Sequence, residues 1–309
     1  MIICCGEALI DMIEQINERG EKSYIPKVGG AIVNSAIALG RLGGDVSFLG
    51  AVSSDNFGAI IKQTIKDSGV KTQLIATSNK PSTLAFAFLK DGNATYSFFD
   101  ENSAGKMIEA SDFAPIPSEV KAMLFGGISL MSEPCGSSFE YLANDNRDKL
   151  IYFDPNIRAS FIKDTKAYKK RFETMVQLCD IIKISDDDLA WLYPNTSFES
   201  IASEWLKGNT SLAILTKGSE PTIAYTKNGA TQVPTIKATV VDTVGAGDTF
   251  NAGFLYHLQK TGDLDKQTFA QTKKENIKQA IYFANQVASL VVSKQGANPP
   301  YLNEINEQP

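Results

Sequence analysis

The stretch Asp242-Thr243-Val244-Gly245-Ala246-Gly247-Asp248-Thr249-Phe250 sets two glycines around an alanine, with an Asp directly after them. Phe250, Phe254 and Leu258 then recur at i, i+4 and i+8, a spacing that puts them on one helix face. Gly245 to Gly247 therefore form a turn opening onto a helix N-terminus, where unpaired backbone N–H groups and the helix dipole favour an anion. Asp248 would stand at the mouth of that site with its carboxylate free, and the dipole would make it more acidic than usual. An amide cradle beside a carboxylate that can take a hydroxyl proton is the minimum needed for phosphoryl transfer to an alcohol. The same residues also fit a plain glycine turn before a helix, with Asp248 merely favoured by the dipole.

Around this stretch, 309 residues are enough for a large core, as one large α/β domain or one domain with a small appendage. Hydrophobic residues make up 43% and charged residues 21%, the balance of an ordinary soluble globular protein. The formal charge is −5 and no basic stripe is visible, which argues against a nucleic-acid partner. Lys169-Lys170-Arg171 is expected to be a solvated helix face. Glu7 and Asp11 interrupt the N-terminal apolar run, which has no preceding Lys or Arg, so it does not read as a signal peptide. No uninterrupted apolar span approaches the ~20 residues needed to cross a bilayer. Cys4, Cys5, Cys135 and Cys179 form no C-x-x-C pair; Cys4 and Cys5 should point to opposite faces of a strand, as buried reduced thiols of a cytoplasmic protein. The single histidine, His257, excludes a multi-His metal site and is expected to be buried by helix phase. G-x-x-x-x-G-K-[ST] and G-x-G-x-x-G are both absent.

Along the chain, Ile2 to Ile10 reads as one buried strand ending at Asp11, and a polar stretch runs to Lys27. A helix of small residues follows Gly29-Gly30 to about Leu42, then an apolar strand over Val46 to Val52 and a helix around Phe57, Ile61 and Ile65 closed by Gly69. Leu84, Phe86 and Phe88 alternate, Asp91-Gly92-Asn93 turns, and Tyr96 and Phe98 alternate again, a β-hairpin signature. From Val120, strands at 120–125, 150–153, 180–184 and 211–215 alternate with helices at about 138–149, 166–178, 187–193 and 198–207. A hairpin over 221–226 and 230–233 turns at Asn228-Gly229, and the last helices run about 247–260 and 274–292. This alternation predicts a doubly wound, mostly parallel α/β sheet with helices on both faces. Ligands should bind beyond the C-terminal ends of its strands, where Asp11, Asp154-Pro155-Asn156, Ser185, Lys217-Gly218 and Asp242 fall.

Asp242-Thr-x-Gly-Ala-Gly-Asp248 resembles the C-terminal signature of the ribokinase-like (PfkB) carbohydrate and nucleoside kinases, and Gly29-Gly30-Ala31-Ile32-Val33-Asn34-Ser35-Ala36 with Arg41-Leu42-Gly43 resembles the N-terminal one. Both signatures lie at the correct ends of the chain, and the resemblance covers essentially its whole length. Tyr96-Ser97-Phe98-Phe99-Asp100-Glu101-Asn102-Ser103-Ala104, Glu133-Pro134-Cys135-Gly136 and Phe153-Asp154-Pro155-Asn156-Ile157-Arg158 resemble the fructokinase branch.

The resemblance implies a single three-layer α/β/α domain over residues 1–309 with a small β lid from about 12–28 and 84–103. It implies that Asp11, Gly29, Gly30, Asn34 and Phe98 face the sugar, that Arg158 faces the sugar or the transferred phosphate, with a solvated Arg as the competing reading, that Asp248 takes the hydroxyl proton, and that the Gly245, Ala246 and Gly247 amides hold the transferred phosphoryl. Lys183-Ile184-Ser185-Asp186-Asp187-Asp188 aligns with the family's Asn-x-x-Glu motif, which orders Mg²⁺ and its waters, with Ser185 for Asn and Asp188 for Glu. Thr216, Lys217 and Gly218 resemble the nucleotide-phosphate loop, and Asn285 the adenine side. Asp242, Val244, Val291, Lys294 and Gly296 resemble the loops that can hold a monovalent cation such as K⁺, with Pro300 where some relatives offer a hydroxyl. The expected substrates are ATP and fructose, and the expected assembly is a homodimer through the lids. Ribose, 2-keto-3-deoxygluconate, or a catalytically silent sugar-binding role on the same fold are the alternatives.

Overall fold

The computed structural model describes residues 1–90 and 93–306, and only the backbone of 87–90, 93–96 and 306. The strands are β1 (Ile2–Cys5), β2 (Leu9–Ile16), β3 (Lys22–Gly29), β4 (Val46–Ser53), β5 (Ile75–Ser78), β6 (Leu84–Lys90), β7 (Asn93–Phe99), β8 (Ala122–Gly126), β9 (Leu150–Asp154), β10 (Ile181–Ser185), β11 (Leu212–Lys217), β12 (Glu220–Thr226) and β13 (Gly229–Val233). The helices are α1 (Ala31–Arg41), α2 (Asn56–Asp67), α3 (Cys135–Asp145), α4 (Thr165–Leu178), α5 (Asp186–Leu192), α6 (Phe198–Trp205), α7 (Ala246–Thr261), α8 (Lys266–Phe269), α9 (Lys274–Val292) and α10 (Leu302–Asn306). Among the described residues, nine strands form one sheet in the order β13-β12-β11-β10-β9-β8-β1-β4-β5, and four form a second in the order β3-β2-β6-β7. The nine-stranded sheet is parallel from β11 to β5; β12 alone runs against the others, pairing antiparallel with β11 on one side and β13 on the other.

Strand alternation sorts the core into two layers, one on each face of the large sheet. Ile2, Cys4, Ile181, Leu212 and Ile214 pack with α1, α2, α7 and α9 on one face. Ile3, Cys5, Ile182, Ala213 and Leu215 pack with α3, α4, α5 and α6 on the other. Cys4 and Cys5 thus point to opposite faces as expected, and all four cysteines are buried and unbonded to one another. Burial pushes the Cys135 and Cys179 thiols up to about 12.

Three expectations are corrected. The apolar run Ile2 to Ile10 is two strands of different sheets, broken at Gly6-Glu7-Ala8. The break is made by Glu7, 5% exposed, whose carboxylate accepts from the Ile32 N–H (3.4 Å) and the Ser129 N–H (3.2 Å). Burial raises its pKa above the usual carboxylate range. The second correction is Arg171, which turns inward, 8% exposed, and reaches Glu133, Glu140 and the Leu130 carbonyl. Helix phase places it beside Tyr168 and Met175 on the buried face of α4, while Lys170 points out. The third is His257, which is half-buried against Phe283; its Nε2 has no hydrogen-bond partner among the described residues.

The hairpin forms as expected, β6 pairing antiparallel with β7 and parallel to β2. The Asp91-Gly92 part of its turn and the side chains of Phe88 and Tyr96 lie outside the described residues. No helix among the described residues is long and apolar enough to cross a membrane.

Candidate active site

A cleft of about 1560 Å³ runs beyond the C-terminal ends of the strands, between the small sheet and the first turn of α7. That is larger than the ~300–1,000 Å³ typical of one small-molecule pocket, and suits two ligands side by side. At its centre, Gly245 is the N-cap of α7 in the left-handed region (φ +80), and a Cβ there would lie 2.9 Å from that of Ala297. Only glycine takes this conformation and this close approach without strain. The Ala246 N–H donates to the Thr243 carbonyl at 3.3 Å, so it is not one of the free amides expected of the glycine turn. The N–H groups of Gly247 and Asp248 lie in the first helical turn, which has no acceptor within the helix, and both residues line the cleft.

The Asp248 carboxylate is not free either. It is 6% exposed; Oδ2 accepts from Asn34 Nδ2 at 2.9 Å and Oδ1 from Asn156 Nδ2 at 3.2 Å. Asn34 arrives from α1, whose Ser35 hydroxyl also donates to the Asp248 carbonyl at 3.1 Å. Asn156 arrives from the turn after β9 with φ 41, a left-handed conformation that Asn tolerates. Burial pushes Asp248 up to about 7, Asp154 adds to the rise, and the Asn34 hydrogen bond with the charges of Lys183 and Arg158 oppose it. The expectation of an unusually acidic Asp248 is therefore overturned, because desolvation outweighs the helix dipole.

On the lid side, Asp11 lines the cleft, and burial pushes it up to about 6. Its Oδ2 sits over Gly29, where a Cβ would be only 1.9 Å away, and Gly30 starts α1 with φ +110. The two glycines thus seat Asp11 and turn the chain into α1. Gly30, Asn34, Phe98 and the exposed Arg158 also line the cleft; Phe98 stacks edge-on with Phe161, and Arg158 donates to the Ile157 carbonyl at 3.0 Å.

At the other end, Lys183, Ser185, Asp188, Thr216, Lys217, Gly218 and Asn285 share the cleft. Ser185 caps α5, accepting from the Asp188 N–H at 3.1 Å, while Asp188 Oδ1 accepts from the Ile157 N–H at 3.0 Å. Burial, with Asp154 adding, pushes Asp188 up to about 6. Lys217 leans on Glu220 at 2.5 Å, and Asn285 accepts from the Thr222 hydroxyl at 2.9 Å and donates to the Pro234 carbonyl at 3.1 Å. Asp242 ties the two suspected cation loops together, accepting from the Val244 and Gly296 N–H groups at 3.0 and 2.9 Å. The Val291 carbonyl already accepts from the Lys294 N–H at 3.0 Å, and the Lys294 ammonium is drawn to Glu304.

From the sequence, Asp154 and Asn156 have no role beyond lying at a strand end, and Glu7, Tyr152 and Asn251 are not marked as site residues. Asp154 accepts from Lys183 and Asn251, and Asn251 accepts from the Tyr152 hydroxyl. The spacing Asp248 to Asn251, one helical turn, is the one sequence signal that pointed to Asn251.

The pfkB family carbohydrate kinase model matches residues 1–304. A fructokinase from Rhizobium leguminosarum bv. trifolii is 42% identical over 279 residues, covering 90% of this chain and 86% of the relative. A solved fructokinase from Xylella fastidiosa with bound ATP superposes with a TM-score of 0.91 at 28% identity, covering 99% of this chain and 96% of that one. A fructokinase from Vibrio cholerae O395 in a fructose-, ADP- and calcium-bound form gives 0.84 at 25% identity, over 96% and 94% of the two chains. With a matching fold, both glycine signatures at one cleft and a family match over nearly its full length, the chain belongs to the pfkB family of carbohydrate kinases.

Proposed function

We propose that this protein transfers the γ-phosphoryl group of ATP to the primary hydroxyl of fructose, giving fructose 6-phosphate and ADP. The observation that carries the reading is Asp248. Its carboxylate is oriented by Asn34 and Asn156 beside the open amides of the α7 N-terminus, in a cleft large enough for two substrates.

In this reading, Asp11, Asn34, Asn156 and Arg158 hold the sugar, and Asp248 takes the hydroxyl proton as the oxygen attacks phosphorus. The Gly247 and Asp248 N–H groups meet the charge that develops on the phosphoryl oxygens. In a loose transition state the proton leaves late, so orientation of the hydroxyl counts for more than basicity. ATP lies along Thr216, Lys217, Gly218 and Asn285, with Ser185 and Asp188 toward its phosphates. Among the described residues no group of three or more His, Cys, Asp or Glu could hold a metal. Ser185 and Asp188 are the residues that would hold a divalent ion at the phosphate end of the cleft. Mg²⁺ bound there would neutralise phosphate charge. A K⁺ ion would fit beside the Asp242–Gly296 junction, where backbone from both loops converges. A cytoplasmic location accords with four buried, unpaired thiols.

In a coupled ATP-consumption assay with Mg²⁺ and K⁺ over fructose, ribose, tagatose, glucose and 2-keto-3-deoxygluconate, fructose should give the highest kcat/KM. A tenfold advantage for ribose or the keto-acid, about 1.4 kcal/mol of transition-state preference, would reject fructose as the substrate. Fructose binding without ATP consumption would leave the silent sugar-binding role.

The lid also supports a homodimer. β3 and β7 are its edge strands, and edges invite pairing between chains. Ile13 and Ile25 form a cross-strand pair two residues from Asp11 and Lys27, on the same face, at 37% and 38% exposure. Light scattering at tens of micromolar should report twice the 33.5 kDa chain mass. A monomer with full activity would remove the lid dimer.

A further inference from the structure

Beneath the first turn of α7 lies a buried ion pair that the reaction outlined above leaves without a part. β9 and β10 are parallel neighbours, Tyr152 facing Ile181 and Phe153 facing Ile182, so the next pair in register is Asp154 with Lys183. The two residues are 2% and 4% exposed, and Lys183 Nζ lies 3.0 Å from Asp154 Oδ2. The same oxygen accepts from Asn251 Nδ2 at 2.7 Å, and Asn251 in turn accepts from the Tyr152 hydroxyl at 3.0 Å. Asp154 Oδ1 is buried with no hydrogen-bond partner among the described residues, so Lys183 is its chief compensation. The ammonium sits directly behind the amide turn, since a Cβ built on Gly247 would be 2.9 Å from Nζ. Lys183 also reaches the floor of the cleft, whereas Asp154 does not.

A buried ion pair is a weak device for stability, because apolar residues of the same volume do as well or better. Its position suggests another use. We propose that Asp154 and Lys183 are positioning residues for phosphoryl transfer: Lys183, locked by Asp154, is a fixed cation behind Gly247 that holds the amide turn against the phosphoryl group and balances the Asp248 carboxylate. The proposal rests on the kinase reading. Charge that is already in place when the phosphoryl group moves needs no reorganisation, which is where electrostatic stabilisation is most effective. The charged groups bearing on Asp248 are Asp154, Lys183 and Arg158, with Asn34 and Asn156 as its amide donors. Asp188 lies one step further out, and the same pair acts on it. Of the two cations, Arg158 is exposed and Lys183 is buried, so Lys183 is the less screened by solvent.

The test uses Lys183→Met, Asp154→Asn and the double variant in the full chain. Carbon-13 NMR of the Asp248 carboxyl, assigned by its loss in Asp248→Asn, reads the local charge without turnover. Lys183→Met should move its titration midpoint up, and Asp154→Asn, which leaves the ammonium unopposed, should move it down, each by about half a unit or more. Turnover in Lys183→Met should fall at least about tenfold, with KM for the sugar within about threefold. If the lone Asp154 charge unfolds that variant, the double variant removes both charges and should fold, still with low kcat. Midpoints that stay put or move together, or a double variant with the parent's kcat, would overturn the proposal. A parent that consumed no ATP with any sugar would reject the kinase reading, while the carboxyl titration would still decide whether this pair sets the charge at Asp248.

Discussion

Replacing Asp248 by Asn should lower turnover by about 10²–10⁴ while the protein stays folded and still binds sugar. Asn has nearly the shape of Asp and keeps one acceptor oxygen for Asn34 or Asn156; it gives up the other of those two hydrogen bonds and the ability to take up the hydroxyl proton. The parent should also gain activity as pH rises through about 7, because burial holds the Asp248 carboxyl protonated up to that point and only the carboxylate can act as base. Stability follows the same group with a fixed sign. The folded protein binds a proton that the unfolded chain has lost above about 3.8, so Asp248 costs stability progressively as pH climbs from there to about 7. Asp248→Asn removes that cost. Its Tm relative to the parent should therefore be higher at pH 8 than at pH 4. Steady-state kinetics and thermal melts at both pH values check the set. If kcat of Asp248→Asn stayed within threefold of the parent with binding intact, Asp248 would not be the base.

Gly247→Val should cost about 10²–10³ in kcat, the scale of losing one donor aimed at developing charge. The backbone at Gly247 is helical, so φ is not the obstacle; the side chain is. Its Cβ would lie 2.9 Å from Lys183 Nζ, and that ammonium cannot simply swing away, since Asp154 holds it in a buried pair. Either the first turn of α7 lifts and its amides lose their aim, or the ion pair opens within the core. Gly247→Ala should show a smaller loss, because its single methyl meets the same atom without the added branches. Parallel measurement of kcat and of KM for ATP and sugar separates the outcomes. A Gly247→Val enzyme with the parent's kcat and a raised KM for ATP would mean that this turn only binds nucleotide.

The sequence by itself determined whatever depends on neighbours in the chain. The strand–helix alternation after Val120, the hairpin that became β6 and β7, and the helix that opens at Gly245 are set by local periodicity and turn chemistry, and the structure has each within a few residues of where the sequence puts it. Strand alternation likewise sent Cys4 and Cys5 to opposite layers. What only tertiary structure decided is the electrostatics. Asp248 sits at a helix N-terminus, which locally argues for a more acidic group. Its carboxylate instead lies under residues brought from far along the chain, Asn34 from 214 positions away and Asn156 from 92, and their packing strips it of water. Arg171 belongs to a charged run in the sequence, yet helix phase and the distant Glu133 and Glu140 carry it inward. The Asp154–Lys183 pair exists only because β9 and β10 are paired in one register. Periodicity reports which face of its own element a residue occupies. Desolvation and charge pairing depend on what the other elements bring against that face, and a one-residue slip in register would have sent Asp154 to the opposite side of the sheet.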